Sequence, residues 1–146
     1  MWIQKQLRIG PKSRGFHLIT DEVSTQLPEL AEIELGTVHL FLQHSSASLS
    51  LNENADPSVR RDMERHFLNT VPDDAPYYEH TLEGPDDMTA HIKTVTIGCE
   101  VTIPVSEGRM ALGVWQGIYL GEHRVAAGGR EMIATLHGKS KRANSG

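Results

Sequence analysis

The chain has 146 residues, a net charge of −5 at pH 7 and a sequence pI of about 5.9. This length predicts one compact domain, long enough to bury roughly two-thirds of the surface that the unfolded chain exposes. The acidic balance excludes the basic surface that a general nucleic-acid binder needs, so no nucleic-acid partner is expected. No segment reaches the length of an apolar membrane span, so no membrane partner is expected either.

Cysteine usage and the first residues predict a cytoplasmic protein. Cys99 is the single cysteine, so the chain cannot form an internal disulfide, and a reducing compartment is the expected location. Residues 1–7 show strand-like alternation and lack the apolar core of a signal peptide. We expect one domain over residues 1–138 and a flexible basic tail over residues 139–146.

The apolar pattern predicts seven or eight strands. They cover, in chain order, residues 2–9, 16–19, 37–43, 48–52, 100–105, 110–120 and 131–136, and a short additional strand would bring the number to eight. The connections do not alternate regularly between strand and helix. We therefore predict an α+β fold, a two-sheet β-sandwich with two or three helices packed alongside.

Three segments carry helix signals. The first is short and follows the second strand, and Pro28 is expected to kink or end it. The second has Asp56 as its N-cap and Pro57 at its first helical position. The third, residues 87–97, combines helical apolar spacing with β-branched residues that favour a strand. We predict a helix there, ended by Gly98.

Polar residues are dense from His44 to Asp62, the segment that contains the fourth strand and leads into the second helix. His44, Asn52 and Glu53 lie at predicted element ends, where side chains are held rigidly and still reach a cleft. We predict that they belong to an active site, although capping of the following turn is an alternative for Asn52 and Glu53. Ser46 is expected to donate a hydrogen bond to a phosphate rather than to act as a nucleophile, since no Gly-x-Ser-x-Gly motif is present.

Three of the eight histidines, His44, His80 and His91, stand near acidic groups. Neutral imidazoles bind zinc and other divalent ions, and Asp87 could orient one of the rings. A divalent metal, zinc or magnesium, is therefore a candidate cofactor. Its ligands would have to come from separate elements, because no His-x-x-x-His or Cys-x-x-Cys pair occurs. The alternative is that each histidine is a hydrogen-bonded group at an element end.

Further candidate substrate contacts lie in a basic loop and along one strand. Lys12 and Arg14 flank a short loop that suits a phosphate. Gln116 would need a polar partner if it faced inward. Glu122 and Arg124 follow at the strand end, where they are expected either to pair across the cleft or to form a surface ion pair.

Several motifs of this chain occur together in one family. They are residues 12–17, residues 44–53, Asp62, residues 78–80, Asp86-Asp87, His91, Pro104, Gly108, residues 113–116 and Glu122. With them the chain resembles, over residues 2–138, the YjbQ family, also called secondary thiamine-phosphate synthases. Many members carry Asn where Asp87 stands and an Asp-Gly-Pro-Arg run in place of residues 123–126. Either Arg124 or Arg130 would therefore fill the role of the family arginine.

The resemblance implies an activity and an assembly. The activity joins hydroxymethylpyrimidine diphosphate to a thiazole phosphate and releases diphosphate, which makes a small phosphorylated molecule the expected partner. The assembly is a homotrimer. The catalytic residues would be His44, Asn52, Glu53, Asp62 and Asp87. Cations such as Lys12, Arg14 and Arg124 would face the leaving diphosphate, and the carboxylates would face the developing pyrimidine cation.

Two other classes of function remain open. One is a metal-dependent hydrolase of a phosphorylated or cyclic metabolite, which would use the same histidines and carboxylates to activate water. The other is a non-catalytic trimer that binds an anion or metabolite between subunits.

Overall fold

The structure is a computed structural model that describes residues 1–141 of the chain. The strands are β1 Trp2–Ile9, β2 Gly15–Leu18, β3 Ile33–Leu42, β4 Ala47–Glu53, β5 Glu100–Ser106, β6 Arg109–Met110, β7 Gln116–Glu122 and β8 Arg130–Ser140. The helices are α1 Thr20–Thr25, α2 Pro57–Thr70 and α3 Asp87–Ile97, with a 3₁₀ segment, Pro28–Glu32, after α1.

The strands form two antiparallel sheets. The large sheet has the order β1-β8-β3-β5-β6 and the small sheet has the order β2-β7-β4. Apolar side chains from both sheets, such as Leu40, Ile103, Leu49 and Leu120, are buried between them. The predicted α+β sandwich is therefore confirmed, and its core lies between the two sheets.

Helices α2 and α3 cover the outer face of the small sheet. Phe67 of α2 lies 5.8 Å, between ring centroids, from Phe16 of β2. Thr94 of α3 donates a hydrogen bond of 3.1 Å from its hydroxyl to the carbonyl of Ala47 in β4. The molecule thus has three layers, with the small sheet in the middle.

The predicted helix signals are confirmed where they are local. The Asp56 side chain accepts a hydrogen bond of 2.9 Å from the backbone N–H of Ser58, and Pro57 is the first residue of α2. Gly98 ends α3 with a φ of 109°, a conformation in which glycine is favoured. Helix α1 ends before Pro28, which opens the 3₁₀ segment.

Three boundaries differ from the prediction, and the first is that β3 begins at Ile33 rather than at residue 37. The strand predicted over residues 110–120 is interrupted, because a turn with a 3.0 Å bond from the Gln116 N–H to the Gly113 carbonyl precedes β7 and leaves Trp115 67% exposed. Lys139 and Ser140, predicted to lie in the tail, belong to β8. The remainder of that predicted tail, from residue 142, lies outside the described residues. Across residues 1–141, no helix is long and apolar enough to span a membrane.

Candidate functional site

Four segments converge at one end of the small sheet. They are the connection before β4, the end of β7, the start of β8 and the first turn of α3. The loop before α3 contributes His80, which contacts Asp87. Because β4 and β7 are antiparallel, the start of one lies beside the end of the other, with Ala47 opposite Glu122. This pairing brings side chains that are far apart in sequence to the same edge.

Two histidines and one aspartate form a compact group at this edge. Nε2 of His80 lies 2.6 Å and Nε2 of His91 lies 3.0 Å from the same carboxylate oxygen of Asp87. One candidate ligand atom from each residue lies within 4.8 Å of the other two. Asp87 is buried, and His91 sits four residues later on the same face of α3. The arrangement can present two nitrogens and one oxygen to a single ion.

The other ring nitrogen of His91 determines which atom faces Asp87. Nδ1 lies 2.7 Å from the backbone carbonyl oxygen of Ser45, which can only accept a hydrogen bond, so Nδ1 carries the proton. In the neutral ring, Nε2 then points a lone pair at the Asp87 oxygen. Two lone pairs 3.0 Å apart repel unless a proton or a cation lies between them. A histidine held by a backbone carbonyl is also a common arrangement around protein metal ions.

The donor set fits a divalent transition metal. Two imidazole nitrogens and one carboxylate are a frequent zinc ligand set with positions open for substrate, whereas magnesium prefers oxygen ligands. His80, His91 and Asp87 would hold the ion. The fit therefore favours zinc over the magnesium alternative.

Arg124 completes this end of the site. It donates from Nε to Asp86 at 3.0 Å and from NH1 to Asp87 at 2.6 Å. Burial alone would raise the pKa of Asp87, but the hydrogen bond from His80, the charge that His91 carries when it is protonated and the charge of Arg124 outweigh it and lower the pKa. Asp87 is thus held as a carboxylate, the form that binds a metal.

A second cluster lies beside the first and centres on Arg130. Arg130 donates from Nε to one carboxylate oxygen of Glu122 at 2.8 Å and from NH2 to the other oxygen of the same carboxylate. Its NH1 donates to the hydroxyl of Ser46 at 2.9 Å and faces Nδ1 of His44 at 3.2 Å. Arg130 and Glu122 are both buried. The Arg124 backbone N–H donates to Glu122 at 3.1 Å, which joins the two clusters.

The predicted metal ligand His44 lies outside the group of His80, Asp87 and His91. Both of its ring nitrogens are engaged, because Nε2 accepts a 2.8 Å hydrogen bond from the backbone N–H of Glu131 and Nδ1 faces Arg130. Burial, and next the charge of Arg130, lower its pKa and keep the ring neutral. His44 therefore positions Arg130 and the start of β8 in this chain.

Three predicted site residues lie at the opposite end of the small sheet from the histidines. Asn52, Glu53 and Gln116 occupy the end of β4 and the start of β7. β4 spans about 20 Å at roughly 3.4 Å per residue, which separates them from the histidines. Glu53 accepts hydrogen bonds from the backbone N–H groups of Ala55 and Asp56. It caps the turn before α2, the alternative that the sequence had left open.

The remaining predicted residues lie in different parts of the structure. Asp62 is exposed on α2. Lys12 pairs with Glu22 at 2.7 Å, and Arg14 pairs through two nitrogens with Asp73. The predicted Glu122–Arg124 side-chain ion pair does not form, because the guanidinium of Arg124 contacts Asp86 and Asp87 while Glu122 pairs with Arg130. Seven predicted residues lie in the two clusters of this edge: His44, Ser46, His80, Asp87, His91, Glu122 and Arg124.

Two groups of the site were not predicted from the sequence. Asp86 accepts hydrogen bonds from Arg124 and, at 2.8 Å, from the backbone N–H of Val125. The carbonyl of Ser45 orients His91. The Asp86-Asp87 pair before a helix was a visible signal for Asp86, whereas a backbone carbonyl leaves no signal in a sequence.

Fold and site together define a class: a β-sandwich with a helical layer and a two-histidine, one-carboxylate group at the edge of its small sheet. The family described as UPF0047 protein YjbQ-like matches residues 5–139. The chain belongs to this family. It is 56% identical over 139 residues to the UPF0047 protein YjbQ of Escherichia coli O157:H7, which covers 95% of this chain and 100% of that protein.

Solved structures agree with this assignment. A YjbQ/UPF0047 family protein from Clostridium acetobutylicum has a TM-score of 0.80 and 29% identity, with 91% of this chain and 99% of that chain covered. The conserved hypothetical protein TT1486 of Thermus thermophilus has a TM-score of 0.78 and 30% identity, with 89% and 97% covered. The sandwich and its helical layer are thus a fold that these proteins share.

Proposed function

We propose that this protein is a metal-dependent enzyme acting on a small phosphorylated molecule at the edge of the small sheet. The observation that carries it is the approach of His91 to Asp87: Nε2 of the ring lies 3.0 Å from a buried carboxylate oxygen, a distance that is repulsive for the neutral ring unless a proton or a metal ion lies between the two atoms. A cation between them removes the repulsion, and His80 supplies a further nitrogen. A divalent ion held there would supply a Lewis acid for phosphate oxygens.

The surrounding charges support a phosphorylated substrate. Arg124 lies against both Asp86 and Asp87 and stays partly exposed, with 25% of its side chain accessible. A guanidinium beside a metal group is suited to phosphate oxygens because it offers several N–H donors in one plane. In this proposal, Arg124 positions the phosphate and keeps Asp87 ionised, while Asp86 holds Arg124.

Among such reactions, we propose first the transfer that the family resemblance implies, the joining of hydroxymethylpyrimidine diphosphate to a thiazole phosphate. Its support is family membership together with cations beside the proposed metal group, where a leaving diphosphate would be stabilised. His80, Asp87 and His91 would act with Arg124 at that diphosphate.

Hydrolysis of a phosphorylated metabolite is the second candidate, and one observation favours it. Two of the carboxylates expected to face the pyrimidine cation have other positions, because Glu53 caps the turn at the far end of β4 and Asp62 is exposed on α2. Hydrolysis requires fewer groups, since water replaces the second substrate.

We also propose that the protein assembles as a homotrimer with the site near a subunit boundary. Apolar side chains adjoin the site in the single chain: Leu82, beside Glu83 whose carbonyl accepts from Arg124, is 98% exposed, and Val125, whose N–H donates to Asp86, is 64% exposed. Exposed apolar residues grouped near a site are typical of contact surfaces. Light scattering should give three times the 16.2 kDa chain mass, and a monomer at micromolar concentration would contradict the assembly.

Metal analysis of the purified protein tests the metal-dependent function first. We expect about one zinc or similar ion per chain in wild type and none in His91→Ala. Product analysis with both phosphorylated substrates then separates transfer, which yields thiamine phosphate and diphosphate, from hydrolysis, in which water cleaves a phosphate ester and yields inorganic phosphate and the dephosphorylated alcohol. Wild-type protein that binds no divalent ion, even when the ion is added in excess, would overturn the proposal.

A further inference from the structure

A polar interior separates the small sheet from the helices that cover it. Ala47 and Leu49 of β4 point into the apolar core, so Ser48 and Ser50 point toward α2 and α3. His123 and Lys93, which are both 0% exposed, lie on the same side. The ring of His123 contacts Ser48 through a 2.8 Å bond to its hydroxyl, and its edge packs against Phe16. This second interior is therefore built from groups that rarely stay buried without partners.

Buried polar atoms without a protein partner concentrate in this interior. In residues 1–141 they are Arg14 Nε, Ser50 Oγ, Glu64 Oε1, Lys93 Nζ and His123 Nδ1. Buried side-chain polar atoms are hydrogen-bonded in the large majority of cases, and five exceptions on one side of one sheet are unusual. The grouping indicates a place where polar atoms from outside the chain complete the hydrogen bonding.

The chemistry of the five atoms favours a ligand rich in acceptors. Lys93 offers only donors, and so does Nε of Arg14, whereas Glu64 is the one carboxylate among the five. Lys93 makes no ion pair within 4.0 Å among the described residues, although Glu64 lies close enough for its charge to act on it. Burial, and next the charge of Arg14, lower the pKa of Lys93. A bound anion would offset both causes, because it would stabilise the buried ammonium and compensate the charge of Arg14.

A groove between β2 and α2 adjoins this interior through two shared residues. It has a volume of about 350 Å³, and Arg14 and Glu64 line it as well as the interior. Phe16 and Leu68 supply apolar surface, and Arg60, Arg61 and Arg65 add positive charge. This volume is at the lower end of the range for small-molecule pockets. Arg61 and Arg65 form no side-chain ion pair among residues 1–141, so their charge is available to a ligand.

We propose that the groove and the interior behind it form a second ligand site, which binds a small molecule through a phosphate group held by Arg14 and Lys93. The arginines of α2 would attract the anion, and Phe16 and Leu68 would contact the apolar part of the molecule. The site differs from the group of His80, Asp87 and His91 in its residues. It does not depend on the function proposed above.

Calorimetric titration with inorganic phosphate at constant ionic strength tests this site. EDTA and a His91→Ala background remove any contribution of a metal at the other site. Lys93→Met and Arg65→Gln should each weaken phosphate binding about tenfold, since the first loses a charge-assisted contact and the second removes one positive charge that attracts the anion. Glu64→Gln should strengthen it, because it removes the negative charge while keeping the side-chain size.

The test includes a matched control variant and a variant at an exposed position. Arg109→Gln makes the same charge change as Arg65→Gln on β6 of the large sheet and should leave the phosphate affinity unchanged. Arg65 is exposed, so its variant folds even if Lys93→Met does not. Absence of phosphate binding would show that the interior holds water only and would overturn the proposal. Equal affinity in Arg65→Gln, Glu64→Gln and Arg109→Gln would overturn it too.

Discussion

Nδ1 of His91 donates a 2.7 Å hydrogen bond to the backbone carbonyl of Ser45, which ties helix α3 to the segment before β4. The bond fixes the orientation of the ring and directs Nε2 toward Asp87. The residue that presents Nε2 to the proposed metal site is thus held by the backbone of another element. A ligand held in this way loses little conformational freedom when it binds an ion.

Replacing His91 by Ala should abolish metal binding. The change removes one of three proposed ligands. Loss of a residue that only hydrogen-bonds to a metal ligand lowers metal affinity roughly ten- to hundredfold, so we expect a larger fall here. Competition with a chromogenic zinc chelator measures it. His66→Ala, at an exposed position of α2, is the matched control. Unchanged zinc affinity in His91→Ala would exclude the residue as a ligand.

The buried Glu122–Arg130 pair should dominate the stability of the second cluster. Glu122→Leu leaves the Arg130 guanidinium buried without its carboxylate, so we expect a loss of about 3–5 kcal/mol in the free energy of unfolding. Adding Arg130→Met to that variant should recover much of the loss, because the uncompensated charge is then gone. Urea denaturation of wild type, both single variants and the double variant measures the coupling. Additive losses would show that the two residues act independently.

Stability should decrease in acid partly because of His123. Burial first, and then the nearby charges of Lys93 and Arg14, lower its pKa from 6.5 to about 3. Between pH 6.5 and pH 3, this histidine binds a proton in the unfolded chain but not in the folded protein. The stability that the neutral ring contributes above pH 6.5 is therefore lost as the pH falls toward 3. One such group gives a slope of up to about 1.4 kcal/mol per pH unit.

Urea denaturation at a series of pH values tests this expectation. His123→Gln should have a shallower stability slope between pH 6 and pH 4 than wild type. Above pH 7 the two slopes should coincide, which serves as the internal control. Parallel curves over the whole range would show that His123 does not contribute to the acid sensitivity.

Glu53 should matter for stability and not for metal binding. Its carboxylate accepts hydrogen bonds from the N–H groups of Ala55 and Asp56 just before α2. Glu53→Ala should therefore cost about 1–2 kcal/mol in the free energy of unfolding and leave zinc affinity as in wild type. Asp62→Ala, on the exposed face of α2, should stay within about 0.5 kcal/mol. Loss of zinc from folded Glu53→Ala would restore the catalytic role expected from the sequence.

The candidate site was predictable where its residues are close in sequence. Asp87 and His91 lie four residues apart on a helix, and helical periodicity alone places them on one face. His44 and Glu53 were expected to act together because both lie in one polar segment. A strand places the two ends of that segment about 20 Å apart, so sequence proximity was misleading.

Local chemistry in the sequence determined the start of α2 at Asp56-Pro57, the end of α3 at Gly98 and the alternating strands that form the sandwich, because caps, turns and side-chain alternation depend on neighbouring residues. The tertiary structure alone decided that Arg130 pairs with Glu122 and that Arg124 pairs with Asp86 and Asp87. Which carboxylate an arginine meets depends on the register of β4 with β7 and on the packing of α3 against them. That register results from the burial of side chains from distant strands between the two sheets.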